Sequence, residues 1–265
     1  MTLELYSASG SLGSQKVKLV LAEKNLEWNN HLLNLLTFEN LQPSYIQLNS
    51  QAVVPTLVHN DTAIADSAVI IRYLDEQFRD PTLTPVEPKL REKMNSWIEL
   101  QNQFPMRELM YGNYQGINGI VLRRSVQIKE KLLSRLMQIY PELAQQYASK
   151  LQDVKRWNST IQSDREIADI NARIAPMLDR LEEQLNQTDW LCGATYTLAD
   201  AVWTAVINRL DELKFNYLWK NNTRLKLESY FNRLKSRPSF AMAIENDKMP
   251  LSMLMTGLYK VVRGV

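Results

Sequence analysis

The spacing of hydrophobic residues divides the chain near residue 80. Before that point, short apolar runs of strand type alternate with segments in which apolar residues recur at helical spacing. This order, βαβ followed by a hairpin and a helix, predicts a small α/β domain. The predicted elements are a strand at 2–6, a helix at about 14–24, a strand at 29–34, a short helical or irregular stretch ending at 49, strands at 55–60 and 62–65, and a helix at 66–78.

Nearly every segment after residue 90 has helical periodicity. Residues 80–89 contain three prolines and no periodic pattern, which is typical of a linker. We therefore predict an α/β domain at 1–79, a linker at 80–89 and an all-α domain at 90–265 with a long helical insertion at about 115–160 and an extra C-terminal helix at about 250–264. The predicted helices of the second domain are 91–104, 121–140, 169–185, 198–213, 227–237 and 251–262.

Composition excludes several classes of function. The 31 basic and 29 acidic residues are interspersed along 265 positions and give a net charge of +2, so the charge does not indicate a nucleic-acid partner. With Cys192 as the one cysteine and with two histidines, the chain has no intramolecular disulfide and no Cys/His metal cluster. No apolar run reaches 18 residues, and the start of the chain lacks the pattern of a secretory signal. We therefore expect a cytoplasmic protein without a metal.

Three polar motifs are candidates for chemistry or for helix capping. In residues 11–28, a Ser/Gly turn leads into a helix whose N-terminus is a candidate anion site. Asp66 and Ser67 open the last helix of the first domain, where free backbone N–H groups suit a carboxylate and the Asp66 side chain suits an ammonium group. Thr197 and Asp200 form a Thr-x-x-Asp capping pair, to which we assign a structural role.

Three blocks of sequence resemble the cytosolic glutathione transferases, and the likeness spans essentially the whole chain. Residues 52–78 are similar to the glutathione-site block of that family, residues 195–210 to the start of its buried core helix, and residues 230–240 to its closing segment. The resemblance implies a thioredoxin-like first domain with a mixed four-stranded sheet, an all-helical second domain, and glutathione as co-substrate. It also implies a homodimer.

The resemblance places the catalytic hydroxyl at Ser11. In the serine-type classes (theta and zeta), a serine at this point of the first helix donates a hydrogen bond to the glutathione sulfur. Such a donor at a helix N-terminus favours the thiolate. Ser7 follows the first strand and is an alternative, as is Tyr6, although we expect Tyr6 to pack inward. Ser14 is the predicted N-cap of the helix.

The same resemblance assigns further residues to the tripeptide. It implies that Pro55 is cis and that the Val54 backbone pairs with the cysteinyl part, as an added strand would. Asp66 and Ser67 are assigned to the γ-glutamyl part. Asn40 stands near a position where some classes have histidine.

The chain departs from the family pattern at three positions. Val53 stands where the family often has a lysine or glutamine that contacts the tripeptide, so we expect weak glutathione affinity. Leu12 and Gly13 occupy the positions at which the isomerases and reductive dehalogenases of the family carry cysteine. Cysteine-dependent isomerisation or dehalogenation is therefore not expected.

The acceptor pocket is predicted from one stretch of the second domain. Arg107, Met110 and Tyr111 are its candidate residues, and we place them on the first long helix of that domain. The expected acceptor is a small hydrophobic electrophile or a peroxide.

The insertion resembles that of the tetrachlorohydroquinone dehalogenase-like class and of its relatives among the ganglioside-induced differentiation-associated proteins. We favour its interpretation as a solvated helical excursion with aliphatic residues on the core; the alternative is a surface for acidic lipid or a protein partner. Between residues 121 and 160 it holds three acidic residues against eight basic ones: Arg123, Arg124, Lys129, Lys131, Arg135, Lys150, Lys155 and Arg156.

The C-terminal segment 249–265 predicts an amphipathic helix. Ser252, Thr256 and Lys260 recur at every fourth position, with Arg263 close to the same face. A helix of about 14 residues spans about 21 Å, too short for a bilayer core of about 30 Å. We predict that it docks on the helical domain beside the active-site mouth, in preference to lying in a membrane interface. Its predicted apolar surface comprises Leu251, Leu254, Met255, Leu258, Val261, Val262 and Val265.

Two functions are compatible with these patterns. The first is a glutathione transferase of detoxification type, which stabilises the glutathione thiolate through Ser11 and transfers it to an electrophilic acceptor, with a possible peroxidase side activity. The alternative is a non-catalytic binding protein of the same fold. It would contact a membrane surface or a protein partner through the basic insertion and the C-terminal helix.

Overall fold

Four short strands form one mixed sheet in the first domain. The computed structural model describes residues 2–264, apart from the side chain of Asn118. The strand order is β2-β1-β3-β4, with β1 parallel to β2 and antiparallel to β3, and β4 antiparallel to β3. This topology confirms the predicted thioredoxin-like sheet. The strands are β1 Leu3–Ser7, β2 Asn29–Leu32, β3 Thr56–His59 and β4 Thr62–Ala65.

Three α-helices and a 3₁₀ turn at Glu39–Leu41 complete the first domain; the helices are α1 Leu12–Glu23, α2 Pro43–Leu48 and α3 Ser67–Gln77. The first of them starts two residues earlier than predicted, because Ser11 and not Ser14 is its N-cap. Ser14 lies inside the helix and is fully buried. The prediction of Ser14 was wrong, because both residues are serines and the preference for serine at an N-cap does not distinguish them.

The second domain is mostly helical over the described residues, with one isolated antiparallel bridge between Trp190 and Gly193. The helix predicted at 169–185 is divided at Arg173, and the segment with the predicted acceptor residues forms a short helix of its own, separate from the first long helix. The helices are α4 Pro88–Asn102, α5 Met106–Asn113, α6 Gly116–Ile139, α7 Ala144–Ile161, α8 Asp164–Ala172, α9 Ile174–Leu185, α10 Leu198–Glu212, α11 Leu225–Lys235, α12 Pro238–Phe240, which continues into a π-turn at Ala241–Glu245, and α13 Leu251–Arg263.

The main hydrophobic core runs without interruption from the first domain into the second. Helix α10 lies at its centre, and α1 packs directly on it. Trp203 of α10 is fully buried, stands edge-on to Trp97 at a centroid distance of 6.0 Å, and donates from its indole N–H to the Trp97 carbonyl oxygen at 3.0 Å. Helix α1 is therefore packed against the central helix of the second domain.

The insertion packs its aliphatic residues as expected, but it does so on a second core of its own and not on the main core. Helices α6 and α7 pack against each other and against the segment 38–52 of the first domain. Tyr147 is fully buried there and donates its hydroxyl to the Leu41 carbonyl oxygen at 2.9 Å. The inserted helices thus form a wall over the α2 region of the first domain.

The C-terminal helix α13 docks on two partners. Gly257 lies against Leu36 of the first domain so closely that a Cβ atom would stand 2.6 Å from the Leu36 Cβ, and Asn34 donates to the Met253 carbonyl oxygen at 2.7 Å. On the other side, α13 packs on α6. Docking is as predicted, but its partners include the first domain. Val265 lies outside the described residues.

Only part of the predicted apolar surface of α13 is covered. Val261 is buried, whereas Leu251, Met255 and Val262 are 72%, 59% and 66% exposed. Among residues 2–264, no helix combines the length and the apolar character that crossing a bilayer requires.

Candidate active site

Ser11 has the geometry of a hydroxyl donor at a helix N-terminus. Its Oγ accepts a hydrogen bond from the Ser14 backbone N–H at 3.3 Å, so it caps α1 through a lone pair. Within the described chain its O–H has no acceptor, and the residue is half-buried. The hydroxyl proton is therefore available to a ligand atom that lies beyond the N-terminus of the helix.

The three competing residues are less suited to that role. Ser7 is fully buried and donates its hydroxyl to the Asn30 side-chain oxygen at 2.6 Å. Ser14 is also fully buried and accepts from the Ala8 N–H at 3.3 Å. Tyr6 does not pack inward as predicted: strand alternation turns it to the sheet face opposite Leu5, where it is half-buried.

Gly13 brings the separate parts of the predicted glutathione site together. A Cβ atom built on it would stand 2.9 Å from Pro55 Cδ, 3.4 Å from the Val54 carbonyl oxygen and 3.6 Å from Ser67 Cβ. The first turn of α1, the Val54–Pro55 loop and the start of α3 therefore meet at one point. A cysteine at this position would collide with the proline ring, which gives a physical reason for glycine.

The backbone of Val54 is unpaired in the described structure. The Val54–Pro55 bond is cis, as the resemblance implies, and β3 pairs with β1 only from Thr56 onward. The preceding residue is fixed: the Val53 carbonyl oxygen accepts from the Tyr45 hydroxyl at 2.6 Å. The Val54 N–H and C=O thus form a rigid, open strand edge of the kind that pairs with an extended peptide.

Asp66 and Ser67 lie at the start of α3, as predicted. Asp66 is the N-cap and accepts from the Ala68 and Val69 N–H groups at 2.8 and 3.2 Å. It has a positive φ of 71° and is exposed. Lys16 of α1 is buried and donates to the Gln101 side chain of α4. Burial lowers the pKa of Lys16 to about 8, and the charge of Asp66 opposes that shift.

The loop before Ser11 is held by two residues of the second domain that sequence reasoning missed. Arg209 of α10 donates to the Gly10 carbonyl oxygen at 2.6 Å, and Asp247 accepts from the Gly10 N–H at 3.0 Å. Asp247 also pairs with Lys18 of α1 at 2.7 Å, and Arg209 donates to the Tyr114 hydroxyl at 2.9 Å. Both peptide groups of Gly10 are therefore fixed from outside the first domain.

Asn40 lies near the site but points into the protein. It is buried and donates to the Ala52 carbonyl oxygen at 2.7 Å, which supports the loop before Val53. Its side-chain oxygen is buried without a partner in the described structure. Its contacts give Asn40 a structural role, and its binding role stays a prediction.

Two of the predicted acceptor residues, Arg107 and Tyr111, lie against the same Trp157 ring, at 5.0 and 4.9 Å from its centroid. Arg107 lines a cleft between the loop at 50–53 and helices α5 and α7. Burial at the Trp157 ring raises the pKa of the Tyr111 hydroxyl. Met110 is half-buried and does not line that cleft. A role of these residues in acceptor binding stays a prediction.

Cys192 and the Thr197–Asp200 pair lie in the buried structure of the second domain. Cys192 is buried, and this burial raises the pKa of its thiol to about 12, so it is not a thiolate at neutral pH. The Thr197 N–H and hydroxyl both donate to Asp200 at 2.8 Å, as expected for a capping pair. Over residues 2–264, no three or more His, Cys, Asp or Glu side chains form a cluster that suits a metal ion.

A thioredoxin-like domain with an open strand edge, joined to an all-helical domain, is the architecture of glutathione transferases. The chain belongs to the glutathione S-transferase family. The model of the family's N-terminal domain matches residues 5–82, and that of its C-terminal domain matches residues 157–238.

Individual relatives agree with the resemblance seen in the sequence. The chain is 27% identical to the tetrachloro-p-hydroquinone reductive dehalogenase of Sphingobium chlorophenolicum, over 91% of this chain and 95% of that protein. It is 26% identical to the human ganglioside-induced differentiation-associated protein 1-like 1, over 90% of this chain and 72% of that protein. Among solved structures, the β-etherase LigF from Sphingobium sp. strain SYK-6 has the same fold, with a TM-score of 0.75 and 23% identity over 92% of this chain and 99% of that chain.

Proposed function

We propose that the protein is a glutathione transferase that uses the Ser11 hydroxyl to stabilise the glutathione thiolate. The observation that carries the proposal is the meeting, at Gly13, of the α1 N-terminus, the unpaired Val54 backbone and the start of α3. These three parts offer a donor for a sulfur anion, a strand edge for a cysteinyl residue, and groups for a carboxylate and an ammonium. Glutathione carries the thiol, the cysteinyl residue, the carboxylate and the ammonium group that these parts would bind.

The chemistry assigned to this chain is thiolate stabilisation and positioning. A free thiol with a pKa near 8.5 is mostly protonated at neutral pH, and a hydroxyl donor at a helix N-terminus lowers that pKa. The thiolate sulfur then attacks an electrophilic carbon or a peroxide oxygen, and the leaving group departs with the electron pair of the broken bond. Since Gly13 and Leu12 replace the family's cysteines, thiol transfer is proposed in place of cysteine-dependent dehalogenation.

The proposal is tested by retention on immobilised glutathione followed by conjugation and peroxidase assays. Retention with turnover in either assay supports it, and a chain that neither binds glutathione nor turns over an acceptor contradicts it. The proposal extends to a cytoplasmic homodimer with a role in detoxification, in line with the family. The dimer is tested by light scattering after size-exclusion chromatography.

Replacing Asp66 is expected to weaken glutathione binding more than it slows the bound reaction. The carboxylate is assigned to the γ-glutamyl ammonium, and a hydrogen bond to a charged group contributes about 1.5–3 kcal/mol. Asp66→Asn should therefore raise the KM for glutathione by roughly tenfold and leave kcat within about twofold. Steady-state kinetics at varied glutathione concentration measure both quantities.

Asparagine at position 66 removes the negative charge but keeps a side-chain oxygen that can cap α3. Asp66→Ala is also expected to raise KM, but it removes the α3 cap and places alanine at a φ of 71°. The matched control is Asp61→Asn, because Asp61 is exposed in the hairpin turn and has a similar φ of 62°. A drop in kcat at unchanged KM for Asp66→Asn would contradict the assignment.

The second candidate function, a contact with a membrane surface, is favoured by the uncovered face of α13. Met255 and Val262 are exposed on a helix that also carries Lys260 and Arg263 in its last turn. An interfacial helix combines an apolar face with cations in this way. The docked face, with Gly257 against Leu36, would remain in place during such a contact.

Truncation after Lys248 is expected to lower solubility and the thermal midpoint of unfolding, because it uncovers Leu36 and the α6 surface that α13 covers. Cutting after Asn246 is less informative, since it also removes Asp247 and its bond to Gly10. Turbidity and thermal melts of both lengths measure the effect. Unchanged solubility and full activity, with vesicle binding of the intact chain lost on truncation, would instead favour the membrane function.

Met255→Glu is the matched variant for that comparison. It places a charge on the exposed face and leaves the Gly257 contact unchanged. Sedimentation with vesicles that contain an anionic lipid should not distinguish it from the native chain if α13 serves only to dock. Loss of sedimentation in Met255→Glu alone would assign the exposed face to the membrane.

A further inference from the structure

A cleft of about 650 Å³ opens where the inserted helices meet the first domain. The loop at 50–53 forms one side of it, and Arg107 of α5 with Lys150 and Arg156 of α7 forms the other. Val53, which directly precedes the unpaired Val54, lies at its border. The cleft therefore begins one residue away from the strand edge assigned to the cysteinyl part of glutathione.

The wall of the cleft carries an excess of positive charge. Its lining holds three cations and one carboxylate, Asp153, which Arg107 binds with two hydrogen bonds at 3.1 and 3.3 Å. Lys150 is nine-tenths buried, and its ammonium nitrogen lies 3.6 Å from Asp153, slightly longer than a hydrogen bond. Close by, burial and the charges of Lys150 and Arg107 lower the pKa of Lys129 to about 8.

Two polar atoms of the lining residues are buried without a partner in the described structure. They are the Arg107 Nε, which is a donor, and the Gln146 Oε1, which is an acceptor. A buried polar atom without a partner is costly, so its presence in a cleft indicates a ligand that satisfies it. The lining residues thus hold one donor and one acceptor that no group of the described chain satisfies.

The expected path of glutathione leads into this cleft. The γ-glutamyl part is assigned to Asp66 and Ser67, on the far side of Pro55, and the cysteinyl part to Val54. The next residue of the tripeptide then extends toward Val53, by roughly 3.5 Å for an extended residue. That residue is glycine, whose terminal carboxylate suits the cations of the lining and whose amide N–H suits its side-chain amides.

We propose that the inserted helices supply the subsite for the glycyl carboxylate of glutathione, with Lys150 as its principal cation. This inference rests on the proposed function and assigns a binding subsite to one end of the co-substrate. It also explains how the chain binds glutathione with valine at position 53, where the family often has lysine or glutamine. The positive charge comes from α7 of the second domain.

The test compares glutathione with its glycyl monoethyl ester, in which that carboxylate is blocked. Affinities are measured by isothermal titration calorimetry on the full chain and on Lys150→Met. The native chain should bind glutathione at least tenfold more tightly than the ester, since a charged hydrogen bond of this kind is worth about 1.5–3 kcal/mol. Lys150→Met should reduce glutathione affinity by roughly tenfold and leave ester affinity unchanged.

Lys155→Met is the control, because Lys155 is an exposed cation on the same helix and does not line the cleft. It should leave both affinities unchanged, and thermal melts of the variants show that the fold is intact. Equal binding of glutathione and ester by the native chain, or an equal loss of both in Lys150→Met, overturns the inference and leaves the proposed function standing. Failure of the native chain to bind either ligand rejects both.

Discussion

Replacing Ser11 by alanine is expected to reduce the rate of thiol transfer by roughly ten- to a thousandfold, the range for losing one donor to a reacting anion. The Ser11 hydroxyl proton has no acceptor within the described chain, and the N-terminus of α1 lies directly behind it. Without this donor, the pKa of bound glutathione rises and less thiolate is present at neutral pH. Single-turnover kinetics across pH measure both the rate and that pKa.

The cap role of Ser11 has to be separated from its proposed role in catalysis. Alanine at an N-cap costs about 0.5–2 kcal/mol of stability, whereas glycine costs only a few tenths. Ser11→Gly should therefore be as inactive as Ser11→Ala but more stable, and Ser11→Thr should restore part of the rate. Unchanged turnover in both the alanine and the glycine variants would exclude Ser11 and direct attention to Tyr6 or Ser7.

The parts of the site that depend on local sequence were predictable. The start of α3 is an example, because an N-cap aspartate and the helix after it are neighbours in the chain and their hydrogen bonds span two or three residues. The Val54–Pro55 loop is also local, since Tyr45 and Asn49, which donate to the Val53 carbonyl oxygen, are only four to eight residues away, but its cis bond was predicted from the family resemblance. In such segments, residue type and spacing carry most of the structural information.

The parts that depend on distant residues were not predictable from one sequence. Arg209 and Asp247 hold the Gly10 peptide groups across 199 and 237 residues, and no periodic pattern reports such a contact. Lys150 was counted among eight basic residues of the insertion, and its charge alone did not distinguish it from the exposed Lys155. Only the packing of α7 over the first domain turns Lys150 into the cleft.

The network around Asp200 combines both kinds of information. The local pair with Thr197 was predicted, but the carboxylate also accepts from the Leu191 N–H at 3.0 Å and from the Tyr230 hydroxyl at 2.8 Å. Asp200 itself is fully buried. Burial raises the pKa of this carboxyl, and the four donors that surround it oppose the shift.

Replacing Asp200 by alanine is therefore expected to destabilise the protein by about 3–5 kcal/mol, the cost of leaving several buried donors without an acceptor. The effect should reach the active site, because α10 carries both Asp200 and Arg209, which holds the loop before Ser11. Urea unfolding followed by fluorescence of the buried tryptophans measures the free energy of unfolding. Glutathione binding should weaken in the same variant.

Two further variants show how much of that loss of stability comes from one donor and how much from removing any carboxylate. Tyr230→Phe removes one donor and leaves the carboxylate with three, so it should cost only about 1 kcal/mol. Asp189→Ala removes an exposed carboxylate outside the network and should stay within about 0.5 kcal/mol of the native protein. If Asp200→Ala were as stable as Asp189→Ala, the carboxylate would not be the acceptor that holds the start of α10, and the capping pair would have to be reassigned to Thr197 alone.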